Sequence, residues 1–196
     1  MRSVAWLAGG MFALIVLAGG RCLGAEQGRG AATLQQLMGL LAQRKHGEVP
    51  YVEEDYLSVL DRPVKSSGVL VYEAPDHLEK RTLKPKEESL VLDGDELTVR
   101  RGHRTHRLQL SSYPQVAPLV DAIRDTLAGN EQALERVFKV RFAGSLADWK
   151  LELTPLDRDV ALQVRRIEIA GARDAIHSVE ILQVDGDRSV MTLGTP

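Results

Sequence analysis

His103, His106 and His177, with the acid pairs Asp93/Asp95 and Asp185/Asp187, are the side chains whose types and spacing could do chemistry in this chain. Metal binding is the first to weigh. His103 and His106 are three residues apart, which in a strand places them on opposite faces. A site there would need further ligands, and Cys22 is the one cysteine. The acid pairs suggest calcium, but neither runs on into a calcium-loop ligand pattern. Each instead encloses a glycine, Asp93-Gly94-Asp95 and Asp185-Gly186-Asp187, which is hairpin chemistry. His177 sits in a strand-like run and reads as structural. No G-x-S-x-G is present, and no local Ser-His-acid set announces a nucleophile. The expectation is no catalytic residue, no metal and no cofactor. A hydrolase with a dispersed triad remains the enzyme alternative.

Charge narrows the partners. The 196 residues carry 25 Lys+Arg and 27 Asp+Glu, which offers no basic field for nucleic acid. Residues 1–25 read as a cleaved secretory signal: Arg2, an apolar run from Val4 to Gly20, and a cleavage site after Ala25. The competing reading is an N-terminal anchor near the short limit for a span. Cys22 follows Arg21 rather than a small residue, which argues against lipidation. Loss of Arg2 and Arg21 leaves 23 basic against 27 acidic residues, a net of −4, on a secreted chain without cysteine. What remains, residues 26–196, is the length of one domain with a sizeable core.

The elements that must position any site are mostly strands. Gly68 to Val99 reads as four, split by Pro75, by Pro85 and by Asp93-Gly94-Asp95. Val49 to Leu60 reads as extended, with Pro50 demoting its start to an edge or bulge. Strand patterns return at 99–110, 138–144, 149–153, 164–170, 174–184 and 188–193, about ten in all. Two helical stretches interrupt them. Leu34, Leu37, Met38 and Leu41 make one apolar stripe within 31–45. Val116, Leu119, Val120, Ile123 and Leu127 make a second within 116–136. There Gly129 stops one helix and Asn130 caps the next. The fold class expected is α+β, mostly β, with a barrel or strongly curved antiparallel sheet.

Alternation gives the strands one apolar face. From the first half come Leu70, Tyr72, Leu78, Lys80, Leu90, Leu92, Leu97, Val99, Leu108 and Leu110. From the second come Phe142, Trp149, Leu151, Leu153, Ile167, Ile169 and Met191. Such a surface folds on itself, is covered by helices, or holds an apolar ligand under a helical lid. Leu34, Leu37, Met38, Leu41, Val120, Ile123 and Leu127 are the lid candidates. An inward Lys80 would meet an anionic headgroup, or else lie at the rim with its ammonium in water.

Three blocks carry a resemblance. The first is G-x-L-x-Y-x-x-P at Gly68–Pro75, followed by P-x-E-x-x-L-x-x-D-G at Pro85–Gly94. The second is Asp148-Trp149-Lys150-Leu151-Glu152-Leu153-Thr154-Pro155. The third is Ile176-His177-Ser178-Val179-Glu180-Ile181, running into Asp185-Gly186-Asp187-Arg188-Ser189. Their order over roughly 31–193 resembles a divergent branch of the periplasmic outer-membrane lipoprotein carrier (LolA-like) family. The resemblance implies an incomplete β-barrel whose open side is plugged by helices and whose cavity takes acyl chains. It also implies a monomeric periplasmic carrier of a lipidated protein or another acylated envelope molecule, with an inner-membrane donor and an outer-membrane acceptor. The alternative is a lipid- or protein-sensing interaction module without transport. The family arginine before the strand-ending proline is Ala74 here, so lid closure has to rest on other residues.

Overall fold

The computed structural model describes residues 33–113 and 117–194; the expected signal, residues 1–25, and Val116 lie outside them. Its elements in chain order are α1 (Leu34–Leu41), β1 (His46–Tyr56), β2 (Val64–Glu73), β3 (His77–Lys84), β4 (Glu88–Asp93), β5 (Glu96–Arg101) and β6 (Arg104–Gln109). They continue with α2 (Ala117–Ala128), α3 (Glu131–Val137), β7 (Phe138–Ser145), β8 (Asp148–Pro155), α4 (Arg158–Ala161), β9 (Val164–Ala172), β10 (Ala175–Gln183) and β11 (Arg188–Leu193). All eleven strands form one antiparallel sheet in the order β6-β5-β4-β3-β2-β1-β11-β10-β9-β8-β7. The first and last strands of that order do not pair, so the barrel is incomplete. Helices α1, α2 and α3 lie against one face, called the inner face below.

Local chemistry explains the boundaries. Thr33 caps α1 with a reciprocal Gln36 contact, a capping box. The helix ends at Leu41, earlier than its pattern suggested, and Gly47 falls inside β1 rather than stopping it. Gly129, at φ 67°, and Asn130, which accepts the Ala133 N–H at 3.2 Å, separate α2 from α3 as their types require. At the β4–β5 hairpin Asp93 pairs with Glu96, so Gly94 and Asp95 form the loop. Only Gly94 has positive φ there, which places glycine first, the II′ arrangement rather than Asp-Gly I′.

Two expectations need correction. Pro50 does not mark an edge: it lies in β1, at the centre of the sheet. It is tolerated because its carbonyl, and so its missing N–H, faces β11, whose pairing with β1 begins only at Tyr51. Leu110 is not in a strand but opens a 3-10 turn, Leu110–Ser112, held by the Asp95 carboxylate on Ser111. His103 sits in the β5–β6 turn, in keeping with Arg100 to Arg104 as a charged hairpin tip, and His106 lies on β6. The short α4 gave no periodic signal, and its Asp157 cap holds the Asp159 and Val160 N–H groups.

The main core lies on the β7–β11 half of the inner face, around Trp149, Leu151, Leu153, Ile167 and Ile169. Trp149 donates its indole N–H to the Arg173 carbonyl at 2.9 Å. Gly171 lies opposite it, where a Cβ would run into the Ala175 carbonyl oxygen and come within 2.5 Å of the indole ring. Gly171→Ala is therefore expected to cost about 1–3 kcal/mol through overpacking. Urea unfolding followed by Trp149 fluorescence measures it, with a red-shifted native emission as the second sign of a displaced indole.

Candidate functional site

Register decides which side chains share the inner face. Across β2, β3, β4, β5 and β6, Tyr72, Leu78, Leu92, Leu97 and Leu108 form one row. Leu70, Lys80, Leu90, Val99 and His106 form the next. On the other side of the sheet Met191, Val179, Ile169, Leu151 and Phe142 line up across β11 to β7. Ile181, Ile167, Leu153 and Val140 follow them. Trp149 stands one row further, opposite Gly171. Every strand residue of the expected inward set therefore falls on this face, and Leu110 alone of that set is outside a strand.

The two halves of the face differ. On the β7–β11 half, α1 presses Leu37, Met38 and Leu41, each 0–2% exposed, against the sheet, and Leu34 packs at the margin. On the β2–β6 half Leu70, Leu78, Leu90, Leu97, Val99 and Leu108 stay half-buried, while Tyr72, Leu92 and Leu110 are buried. Helix α2 reaches the core through Ala122, with Leu119 packed against it, and Thr126 is buried on the same side. Its larger side chains Val120, Ile123 and Leu127 occupy the neighbouring helix face and are half-buried.

Between the halves runs a polar belt that alternation alone did not single out. Lys80 reaches from β3 to β1, where its Nζ lies 2.5 Å from Glu53 Oε2 and 5.2 Å from the centre of the Tyr51 ring. Glu53 is 5% exposed and also accepts from Ser66 Oγ at 3.0 Å and Ser189 Oγ at 3.4 Å. Tyr51 and Thr82 share a hydroxyl hydrogen bond at 2.7 Å. Lys80 is thus inward and satisfied by a carboxylate of the chain itself, which removes the cost of an unpaired buried ammonium. Asp55, next along the inner side of β1, has a buried Oδ1 without a partner. Burial and then the Glu53 charge push its carboxyl above the ordinary value, opposed by a Ser189 hydrogen bond and by Lys80. The stretch Tyr51-Val-Glu-Glu-Asp-Tyr56 carries an aromatic and an acid in both phases, so its sequence could not say which face is inside.

Two contacts tie the region of α1 and α2 to neighbouring loops. With Ala74 in place of the family arginine, Arg44 beyond α1 bonds Asp174 at 2.7 Å, and Arg124 of α2 donates to the Gly94 carbonyl at 2.9 Å. Gly129 lets α2 close on α1: a Cβ there would run into the Met38 carbonyl oxygen. Two of the acids in the Asp-Gly-Asp turns make structural contacts. His77 meets Asp93 at 2.6 Å across β3–β4, and Asp187 holds the Ser58 N–H at 2.7 Å. Among the described residues no three His, Cys, Asp or Glu side chains form a metal-holding group, and no helix is long and apolar enough to cross a membrane.

An open antiparallel sheet with one apolar face, half covered by helices, defines a binding module. The family model described as outer membrane lipoprotein carrier protein LolA-like matches residues 28–195, and the chain belongs to that family. No curated protein matches it. Among solved structures it is similar to a LolA superfamily protein from Nitrosomonas europaea, 14% identical at TM-score 0.44, over 84% of this chain and 93% of that one. It is similar to a chain of the Pseudomonas aeruginosa MucA/MucB complex, 14% identical at TM-score 0.43, over 82% of this chain and 55% of that one. It is also similar to LprF from Mycobacterium bovis, 14% identical at TM-score 0.35, over 85% of this chain and 96% of that one.

The raised Asp55 carboxyl fixes the sign of a pH effect. Its folded-state pKa lies above the ordinary 3.8, so its ionised form opposes folding at neutral pH. That penalty vanishes as pH falls through the raised value. Asp55→Asn should raise the Tm at pH 7 by roughly 2 °C or more. The advantage should shrink toward zero as pH approaches 3.8. Calorimetry of both proteins across that range checks it; a gain constant with pH would contradict it.

Proposed function

We propose that the chain is a periplasmic carrier that shields the acyl chains of an outer-membrane lipoprotein or a related envelope lipid. It takes the cargo from an inner-membrane donor and hands it to an outer-membrane acceptor, without covalent chemistry. The observation that carries this reading is the uneven cover of the inner face. Leu70, Leu90, Leu97, Val99 and Leu108 are left half-exposed on one side of the polar belt, while the main core packs on the other. Family membership supports it.

The physical task is solvation. An acyl chain in water costs about 0.8 kcal/mol per CH₂, so a carrier must offer an apolar wall and still release the chain. The half-exposed row supplies a wall that needs no opening at first contact. Val120, Ile123 and Leu127 of α2 complete it as the lid, and displacement of α1 exposes Trp149, Leu151, Leu153, Ile167 and Ile169 as a second wall on the far side of the polar belt. Lys80 stands at the inner end of the row with two ammonium protons beyond its Glu53 bond. We assign it to an anionic group at the head of the cargo.

Native mass spectrometry of the protein isolated from its own periplasm, followed by organic extraction, tests the carrier reading. A co-purifying lipid or lipopeptide is the expected result. A clean apo mass with no uptake of added acyl ligands would leave a filled half-barrel acting as an interaction module. Leu90→Glu should weaken binding of a fluorescent acyl probe tenfold or more, because it sets a charge in the apolar row. Lys80→Met should weaken a carboxylate-headed probe and spare an uncharged one; equal affinities for the first probe would remove Lys80 from the site.

A further inference from the structure

Exposed large apolar side chains gather at one end of the sheet. Strands β1, β3, β5, β8 and β10 finish there, and β2, β4, β6, β9 and β11 start there. Val59, 84% exposed, and Leu60 lie in the β1–β2 loop, and Leu83 is the last residue but one of β3. Leu156, 59% exposed, and Leu162, 71% exposed, flank α4 between β8 and β9. Val184 opens the β10–β11 turn. Among the described residues only Val52, on a strand in the body of the sheet, is a large exposed apolar side chain elsewhere.

Cations stand between these tips. Arg62, Lys84, Lys86, Arg104 and Arg158 are exposed at the same end, and none has an ion-pair partner among the described residues. Asp61, Glu87 and Asp159 are there too. Asp157, Asp185 and Asp187 accept hydrogen bonds from backbone N–H groups and bring the carboxylates named at this end to six, so the rim is mixed in charge. Isolated apolar residues are normal on a surface, but their concentration on one rim is not.

We propose that this rim docks on a lipid bilayer. Val59, Leu60, Leu156 and Leu162 enter the interfacial zone, and Arg62, Lys84, Lys86, Arg104 and Arg158 meet anionic head groups. The occupant is lipid rather than protein because the apolar tips sit singly on separate loops. A fluid interface accepts each tip independently, whereas a protein groove needs a contiguous complementary surface. Docking by this rim brings one end of the inner face to the membrane, but it needs no cargo and stands apart from the carrier reading.

Flotation of the exported protein with vesicles of phosphatidylethanolamine and phosphatidylglycerol tests it. The wild type should float with the vesicles. The pairs Val59→Asp/Leu60→Asp and Leu156→Asp/Leu162→Asp should each lower the bound fraction at least fivefold, with unchanged Tm. Exchange of phosphatidylglycerol for phosphatidylcholine should lower it too. A wild type that stays in the soluble fraction, or variants that float as well as wild type, would overturn the proposal. So would a dimer, seen by sedimentation and lost in the same variants, in a protein that ignores vesicles. Uptake of the acyl probe by the rim variants at wild-type affinity separates this outcome from any failure of the carrier reading.

Discussion

Tyr51 pairs with Gly68 on one side and Leu193 on the other, and through that strand two meanders become one sheet. The β1–β2 pairing is local; the β1–β11 pairing joins the beginning of the described chain to its end. Without it there would be a six-stranded and a five-stranded sheet, each with an apolar face and two unprotected edges. With it, the rows of both halves run on across a common face, and a single set of helices has one surface to cover. The tolerance of Pro50 and the close β2–β3 approach at Gly68, where a Cβ would strike the Arg81 carbonyl oxygen, are local accommodations to that shared strand.

The seam is also where the inner face turns polar. Glu53, Lys80, Ser66, Ser189, Tyr51 and Thr82 satisfy one another in the belt that divides the packed half from the open half. A buried ion pair is a weak source of stability, since desolvation offsets most of its Coulomb gain. Its larger effect is on what the face can accommodate. An aliphatic chain lying along Leu70, Leu90 and Val99 meets charge at Lys80 and cannot continue across β1 without leaving the pair desolvated. The belt would therefore set a length and an orientation for any acyl chain bound on the open row.

Much of this was legible in the sequence. Period-two alternation named the inner face most clearly at Leu151/Leu153 and Ile167/Ile169, which are apolar in one phase only; around Leu70/Tyr72 and Leu90/Leu92 the other phase carries Val69, Val71 and Val91 as well. The α2–α3 break was legible because Gly129 and Asn130 are the residue types a helix stop and a helix start require. Glu53 was not legible, because its strand is ambiguous in phase and its partner Lys80 is 27 residues away. Nor was the inward side of α2. Its apolar stripe holds Leu119, which does pack against the core, but the residue fully buried there is Ala122 rather than Val120, Ile123 or Leu127. Close packing against α1 and α3 selects small residues, so hydrophobicity is a poor guide to which helix face is buried.

That difference between helices bears on how such a fold can open with Ala74 where the family has an arginine. Three large side chains hold α1 down, at about 1.5–3 kcal/mol each for full burial. Helix α2 buries Ala122 and Thr126 instead, and Thr126 already bonds back to the Ala122 carbonyl at 2.7 Å. Its other tie, Arg124 to the Gly94 carbonyl, is a single partly buried hydrogen bond from a charged group, about 1.5–3 kcal/mol. Burial also raises the Asp121 and Asp125 carboxyls of α2, so their ionised forms gain when the helix lifts. On the proposed carrier reading, lifting α2 would therefore break less buried apolar contact than lifting α1, and an opening that begins at α2 would need no dedicated latch.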